Sequence, residues 1–120
     1  MLFASRPIIS TLTLNTISLL VTGPTPNNDR FQDAHLAHLA DLHQQGSLLA
    51  AGPLSDPAGE LRGLSILSVP VDEARRLKEA DEAVRAGVFS VRVLPWHVPA
   101  GAMSFSKTFF PRSMRDVTDR

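Results

Sequence analysis

Cysteine is absent from this chain. That removes disulfides, thiolate nucleophiles and cysteine-based zinc sites, and it leaves the redox compartment unread. An excess of charge of either sign is absent too: 12 Lys and Arg balance 12 Asp and Glu, and the pI is about 6.9. A nucleic-acid binder carries a basic face. Neither that nor an acidic tail nor a polybasic membrane patch is present. Long hydrophobic runs are also missing. Met1–Leu20 is fairly apolar, but Arg6, Pro7 and Asn15 interrupt it well short of the roughly 18 residues that span a bilayer. Arg6 is its single basic residue and Ser and Thr break its centre, so it lacks the continuous core of a secretory signal. A cytoplasmic location is the expectation. The chain has no glycine-rich phosphate loop, nucleophile elbow or HExxH motif, and no repeat, low-complexity tract or domain linker.

What is present suits one domain with one modest core, since the chain has 120 residues. Leu12–Thr22 mixes Leu, Ile, Val and Thr in the manner of a strand. The turn formers of residues 23–29 stop it, and Asn27, Asn28 or Asp29 can cap a helix over Arg30–Gln45. On that helix Phe31, Leu36, Leu39 and Leu42 share one face, while Asp33, Asp41 and Gln44 fall opposite. Gly46 suits the C′ position. Ser47–Ala51 reads as a short strand ended by Gly52-Pro53, and Ser55–Gly59 as a polar connection. Gly63–Val69 reads as the next strand. A second helix opens on Asp72-Glu73, acidic residues that its dipole favours, and runs to about Ala80. Residues 81–86 form either its last turn or a separate short helix. Val88–Leu94 is the last strand, ended by Pro95.

The order β-α-β-β-α-β is the ferredoxin-like, split βαβ arrangement, an α+β fold with a four-stranded antiparallel sheet. Both helices then cover one sheet face. The bare apolar face left on so small a domain calls for a partner, and a homodimer joined sheet to sheet is the simplest answer. Residues 1–13 and 100–120 are read as extensions of a domain over 14–99. In the second of these, Met103, Phe105, Phe109 and Phe110 suggest a fifth strand, an arm laid on a neighbouring subunit, or a lid over a cleft. Residues 111–120 are polar and expected to fray.

Two ionisable residues stand out. His35 falls between Phe31 and Leu39, inside the apolar stripe, where a ring needs a hydrogen-bond partner. Asp81 lies four residues after Leu77 and seven after Ala74, on the packed face if the second helix continues; otherwise it is the N-cap of the short segment that follows. If the two meet, the carboxylate fixes the tautomer of the imidazole, which is a general acid/base arrangement or a purely structural pair. His35 and His38 are spaced as a helical metal pair, with Asp41 and His43 nearby, but no third ligand is forced. No metal or cofactor is expected. Gln32, His38, Ser65 and Asp56 are candidate substrate contacts. Asp56, in Gly52-Pro53-Leu54-Ser55-Asp56, also reads as a turn residue, and Trp96 as a core or dimer anchor.

The stretches His35-Leu36-Ala37-His38-Leu39, Gly46–Leu54, Asp81 with Ala83–Phe89, and Leu94-Pro95-Trp96 resemble, in that order, the YCII-related family. The resemblance covers roughly residues 14–99. It implies a dimeric α+β barrel with a cleft in each subunit, and His35 and Asp81 as the proposed active-site pair. Some members are dehydrochlorinases of chlorinated hydroxyquinol-type aromatics, and the fold is similar to that of muconolactone isomerases. This chain has Gln32 where members often carry arginine, Leu64 where a serine commonly follows the strand glycine, and Glu82 where a proline is usual. The first two changes remove groups suited to binding an anion.

The expectation is a cofactor-independent lyase or isomerase that uses His35 and Asp81 on a small cyclic or enolic compound. The alternative is a non-catalytic metabolite-binding or assembly module.

Overall fold

The structure, a computed structural model, describes residues 12–118. Its elements are β1 (Leu12–Thr22), α1 (Asp29–Gln44), β2 (Leu48–Pro53), β3 (Leu61–Leu67), α2 (Val71–Glu79), α3 (Glu82–Arg85), β4 (Phe89–Pro99) and α4 (Met114–Thr118). The strands form one antiparallel sheet in the order β2-β3-β1-β4, with α1 over β2 and α2 over β1 and β4. This is the ferredoxin-like α+β arrangement that the element order implies. Among the described residues no helix is long and apolar enough to cross a membrane.

Alternation along the strands divides the two sheet faces. Thr16, Ser18 and Leu20 of β1 are buried beneath the helices, as are Gly63, Ser65 and Leu67 of β3, their partners across the ladder. The main core joins Leu42, Leu48, Leu67, Ala74 and Val93. A second cluster joins Leu20, Ala83, Val88 and Phe89 around the short α3. On the opposite face Ile17 pairs with Ile66 and Leu94, and Leu19 with Leu64. No helix of the described chain covers them, and Leu94 and Trp96 are exposed.

The ends of α1 and α3 are held where the site needs them. The Asn28 side chain caps α1 by accepting from the Phe31 N–H at 2.9 Å. Gly23 lies flat against the chain leaving α3: its N–H donates to the Val88 carbonyl at 2.9 Å, and a Cβ on it would stand 2.2 Å from the Gly87 carbonyl oxygen. Only glycine permits that approach, which brings the entry to α1 beside α3. Asp81 is the N-cap of a separate α3, which settles the two readings of residues 81–86.

Four expectations are corrected. Gly52-Pro53 forms the last two residues of β2 rather than a stop after it, and Pro95 does not end β4, which runs on to Pro99. Both are edge strands, where a residue without an N–H is tolerated. Residues 100–118 make no fifth strand, and residues from Lys107 onward are bound to α1 of the same chain. Residues 111–118 are not frayed, because α4 is tied down. The Lys107 ammonium donates to the last carbonyls of α1, those of His43 at 3.2 Å and Gln44 at 2.5 Å. Arg112 pairs with Asp41 at 2.6 Å, and Asp33 accepts from the Met114 N–H at 2.8 Å. The polar side of α1 is thus a docking face. Of the expected N-terminal extension, residues 1–11 lie outside the described residues, and Leu12 and Thr13 open β1.

Candidate functional site

His35 and Asp81, 46 residues apart in the chain, meet between α1 and α3, with His35 Nδ1 2.5 Å from Asp81 Oδ2. Both side chains are buried. The second carboxylate oxygen, Oδ1, accepts from the Ala83 N–H at 2.9 Å. Asp81 is therefore at once a helix cap and the partner of His35. Burial pushes its carboxyl up. The hydrogen bond and charge of His35, the Ala83 N–H and the charge of His38 outweigh that and hold it below its ordinary value. The Asp81 carboxylate accepts from the Nδ1–H of His35, which fixes the tautomer whose Nε2 is the ring's acceptor. Among the described residues Nε2 has no hydrogen-bond partner. The ring leans on Phe89 at 5.5 Å between centroids, which fixes its other side.

His35 lines a cavity of about 470 Å³ between α1 and the sheet. Gln32, Leu36 and Leu39 of α1 make one wall, and Leu20, Gly63 and Ser65 of the sheet make the floor. Leu36 and Leu39 belong to the apolar stripe yet are only half-buried, because they face this space. Phe110, Pro111, Met114 and Val117 close it from the C-terminal side. That roof is positioned by His43. Its Nε2 accepts from the Thr108 N–H at 3.0 Å, its Nδ1 lies 2.8 Å from the Leu48 carbonyl, and its ring stacks on Phe110 at 4.0 Å. Of the phenylalanines read as a lid, Phe110 lines the cavity, whereas Phe105 and Phe109 are exposed.

The other candidates separate. Gln32 faces the cavity, and its Oε1 accepts from Asn27 Nδ2 at 2.9 Å, which leaves its own NH₂ group as a donor with no partner among the described residues. Ser65 lies in the floor. His38 does not reach the cavity: its Nε2 donates to the Leu77 carbonyl at 2.8 Å and ties α1 to α2. Asp56 does not reach it either. Its carboxylate accepts from the N–H groups of Ala58, Glu60 and Leu61 at 3.1, 3.1 and 2.9 Å, and shapes the β2–β3 turn. The Leu61 and Ala58 bonds, and after them the Glu60 bond, hold its carboxyl below its ordinary value against a smaller effect of desolvation. Among the described residues no three acidic or histidine side chains cluster as a metal-ligand set.

One residue escaped the sequence reading. Lys78 is wholly buried, and its Nζ donates to Ser65 Oγ at 3.1 Å. Burial pushes its ammonium down to about 8, offset in part by the charge of Asp81. A signal existed: Ala74, Lys78 and Asp81 recur at the four- and three-residue steps of one helical face.

Fold and site define a small α+β domain with a pocket that is walled by helix, floored by sheet and carries a buried imidazole–carboxylate pair. The YCII-related domain matches residues 16–97, and the chain belongs to the YCII-related family. Among solved structures it is similar to the 5-chloro-2-hydroxyhydroquinone dehydrochlorinase of Burkholderia phenoliruptrix in complex with 2,5-dihydroxybenzoquinone. The identity is 23%, the match covers 70% of this chain and 93% of that one, and the TM-score is 0.48. No curated protein matches this chain.

Proposed function

We propose that this chain is a lyase or isomerase in which His35 is the general acid/base and Asp81 orients it, acting on a small, partly apolar cyclic or enolic compound. The observation that carries this reading is the Asp81-bound Nδ1 of His35, with the Nε2 of the same ring at the cavity wall and unpartnered among the described residues. With Nδ1 committed, Nε2 takes a proton from carbon beside a carbonyl and returns it elsewhere, or the carbanion expels a leaving group. Such chemistry needs no metal or organic cofactor. The cavity is the size of a small-ligand site, and its leucines and phenylalanines suit an apolar ring. The Gln32 NH₂ group is placed to bind a substrate oxygen.

The test is a screen of small lactones, cyclic enols and hydroxyquinones, followed by His35→Gln. The variant is expected to lose at least about a hundredfold in kcat with its fold intact, the usual worth of a positioned acid/base. Unchanged turnover would remove His35 from the chemistry. A second reading is a non-catalytic binding module, favoured by the use of both Asp81 oxygens within the protein. It predicts ligand binding that His35→Gln weakens, with no turnover in either protein.

We also propose a homodimer through the uncovered sheet face of Ile17, Leu19, Ile66, Leu94 and Trp96. Light scattering is expected to give twice the chain mass, and Ile66→Glu to give the single mass with the same circular dichroism. A monomeric wild type would refute the assembly.

A further inference from the structure

Lys78 places an ammonium where the fold has little use for it. Taking a charge out of water is costly unless partners compensate. Among the described residues Ser65 Oγ is its one hydrogen-bond partner, although an ammonium has three donors. A serine oxygen that accepts from Lys78 keeps its own hydrogen, and no described group receives it. Ser18 stands opposite Ser65 on β1, and its Oγ is buried with no partner among the described residues. Donor capacity in this corner therefore exceeds what the chain consumes, and Ser65 opens onto the cavity that His35 lines.

We infer that Ser65, backed by Lys78, is an oxyanion subsite for the enolate or phenolate oxygen of the bound compound. The inference rests on the pocket reading above and names its substrate class. When His35 Nε2 removes a proton from carbon, the C–H electron pair moves into the new C=C bond and the carbonyl π pair onto oxygen. The proton stays on the imidazolium, paired with Asp81. The Ser65 O–H donates to the oxygen that gains charge, and the ammonium of Lys78, held to the same Oγ, polarises that hydroxyl through a water-poor corner. Ser65 touches the substrate; Lys78 is a positioning residue that acts through it. Because burial brings Lys78 down only to about 8, it remains charged at neutral pH. The cation thus stands beside the pocket floor, on the helix-covered face of the sheet, and reaches the pocket through Ser65.

The experiment compares two probes of nearly equal shape, 4-nitrophenol and 4-nitroanisole, on the full-length chain by calorimetry, with absorbance reporting ionisation of the bound phenol. The wild type is expected to prefer the phenolate and to move the ionisation of the bound phenol to lower pH. Ser65→Ala and Lys78→Met are expected to weaken phenolate binding about tenfold, the worth of one charge-assisted hydrogen bond, and to leave the anisole within about twofold. Ser65→Thr, which keeps the hydroxyl, is expected to retain the preference. Equal affinity of the wild type for both probes, or equal loss of both in Ser65→Ala, overturns the subsite. If a variant fails to fold, the direction of the wild-type ionisation shift decides alone. Binding of neither probe removes the pocket reading as well. Phenolate preference without turnover of any screened compound leaves the subsite standing and removes the acid/base role.

Discussion

Asp81→Ala is expected to lower the unfolding free energy by about 3–5 kcal/mol, the usual result of removing one member of a buried pair. Two losses coincide. The Ala83 N–H at the start of α3 loses its cap, and His35 Nδ1 loses its partner inside the protein. For a chain of this size the midpoint of thermal unfolding falls by roughly 10–20 °C. The pH dependence gives a second check. A carboxyl held below its ordinary value of 3.8 contributes stability in full above that value, and the contribution is lost as pH falls through the lower folded value. The gap between wild type and Asp81→Ala is therefore wide at pH 7 and closes below pH 3.8. Asp81→Asn separates the two roles. Its amide oxygen still caps α3, but its NH₂ faces His35 Nδ1, which must become an acceptor and pass the ring proton to Nε2. The amide variant then costs only about 1–2 kcal/mol yet abolishes base catalysis, because the nitrogen facing the pocket is already protonated. Chemical denaturation of the two variants checks both figures; a loss under about 1 kcal/mol for Asp81→Ala would mean that the pair holds little of the fold together.

Lys78→Met is expected to stabilise the protein near neutral pH by about 2 kcal/mol. Burial lowers the ammonium from 10.5 to about 8, a shift that corresponds to about 3 kcal/mol spent on keeping the charge inside. Methionine fills nearly the same volume without that charge, and the hydrogen bond lost by Ser65 takes back about 1 kcal/mol. The sign follows from proton counting. Between pH 8 and 10.5 the unfolded lysine binds more protons than the folded one, so wild-type stability rises with pH across that window. The advantage of Lys78→Met is thus full below pH 8 and fades towards pH 10.5. Urea denaturation at about pH 7 and about pH 10 measures both ends. A variant less stable than the wild type at neutral pH would mean that Lys78 holds the core together. A gain in stability is the expected mark of a charge kept for a purpose other than folding.

Much of this molecule was legible from period and punctuation. Leu12–Thr22 appears in the structure with the bounds its composition implies, because a β-rich run closed by Gly23-Pro24 leaves little choice. Helix α1 agrees to within a residue at each end, through its Asn28 cap and its apolar stripe. His35 was conspicuous as a polar residue inside that stripe. Asp81 supported two local readings, and both hold in part, since it caps α3 and also sits buried against a neighbour.

What escaped depended on contacts between distant segments. Pro95 signals the end of a strand, but β4 is an edge strand, and only the sheet order makes that proline harmless. His38 carries the chemistry of a site residue, yet the backbone carbonyl of Leu77 on α2, 39 residues later, claims it. Asp33 and Asp41 look like a solvated helix face until Met114 and Arg112, 81 and 71 residues later, bind them. Lys78 is the clearest case. A long cationic side chain reads as surface in any window of sequence, and its burial was decided by the packing of α2 over β1 and by Ser65 across the sheet. By itself the sequence determined the elements, their order and the helix face that carries His35, because those follow from periodicities a few residues long. The tertiary structure decided which polar groups share a pocket, because that depends on side chains tens of residues apart whose partners leave no periodic trace in the chain.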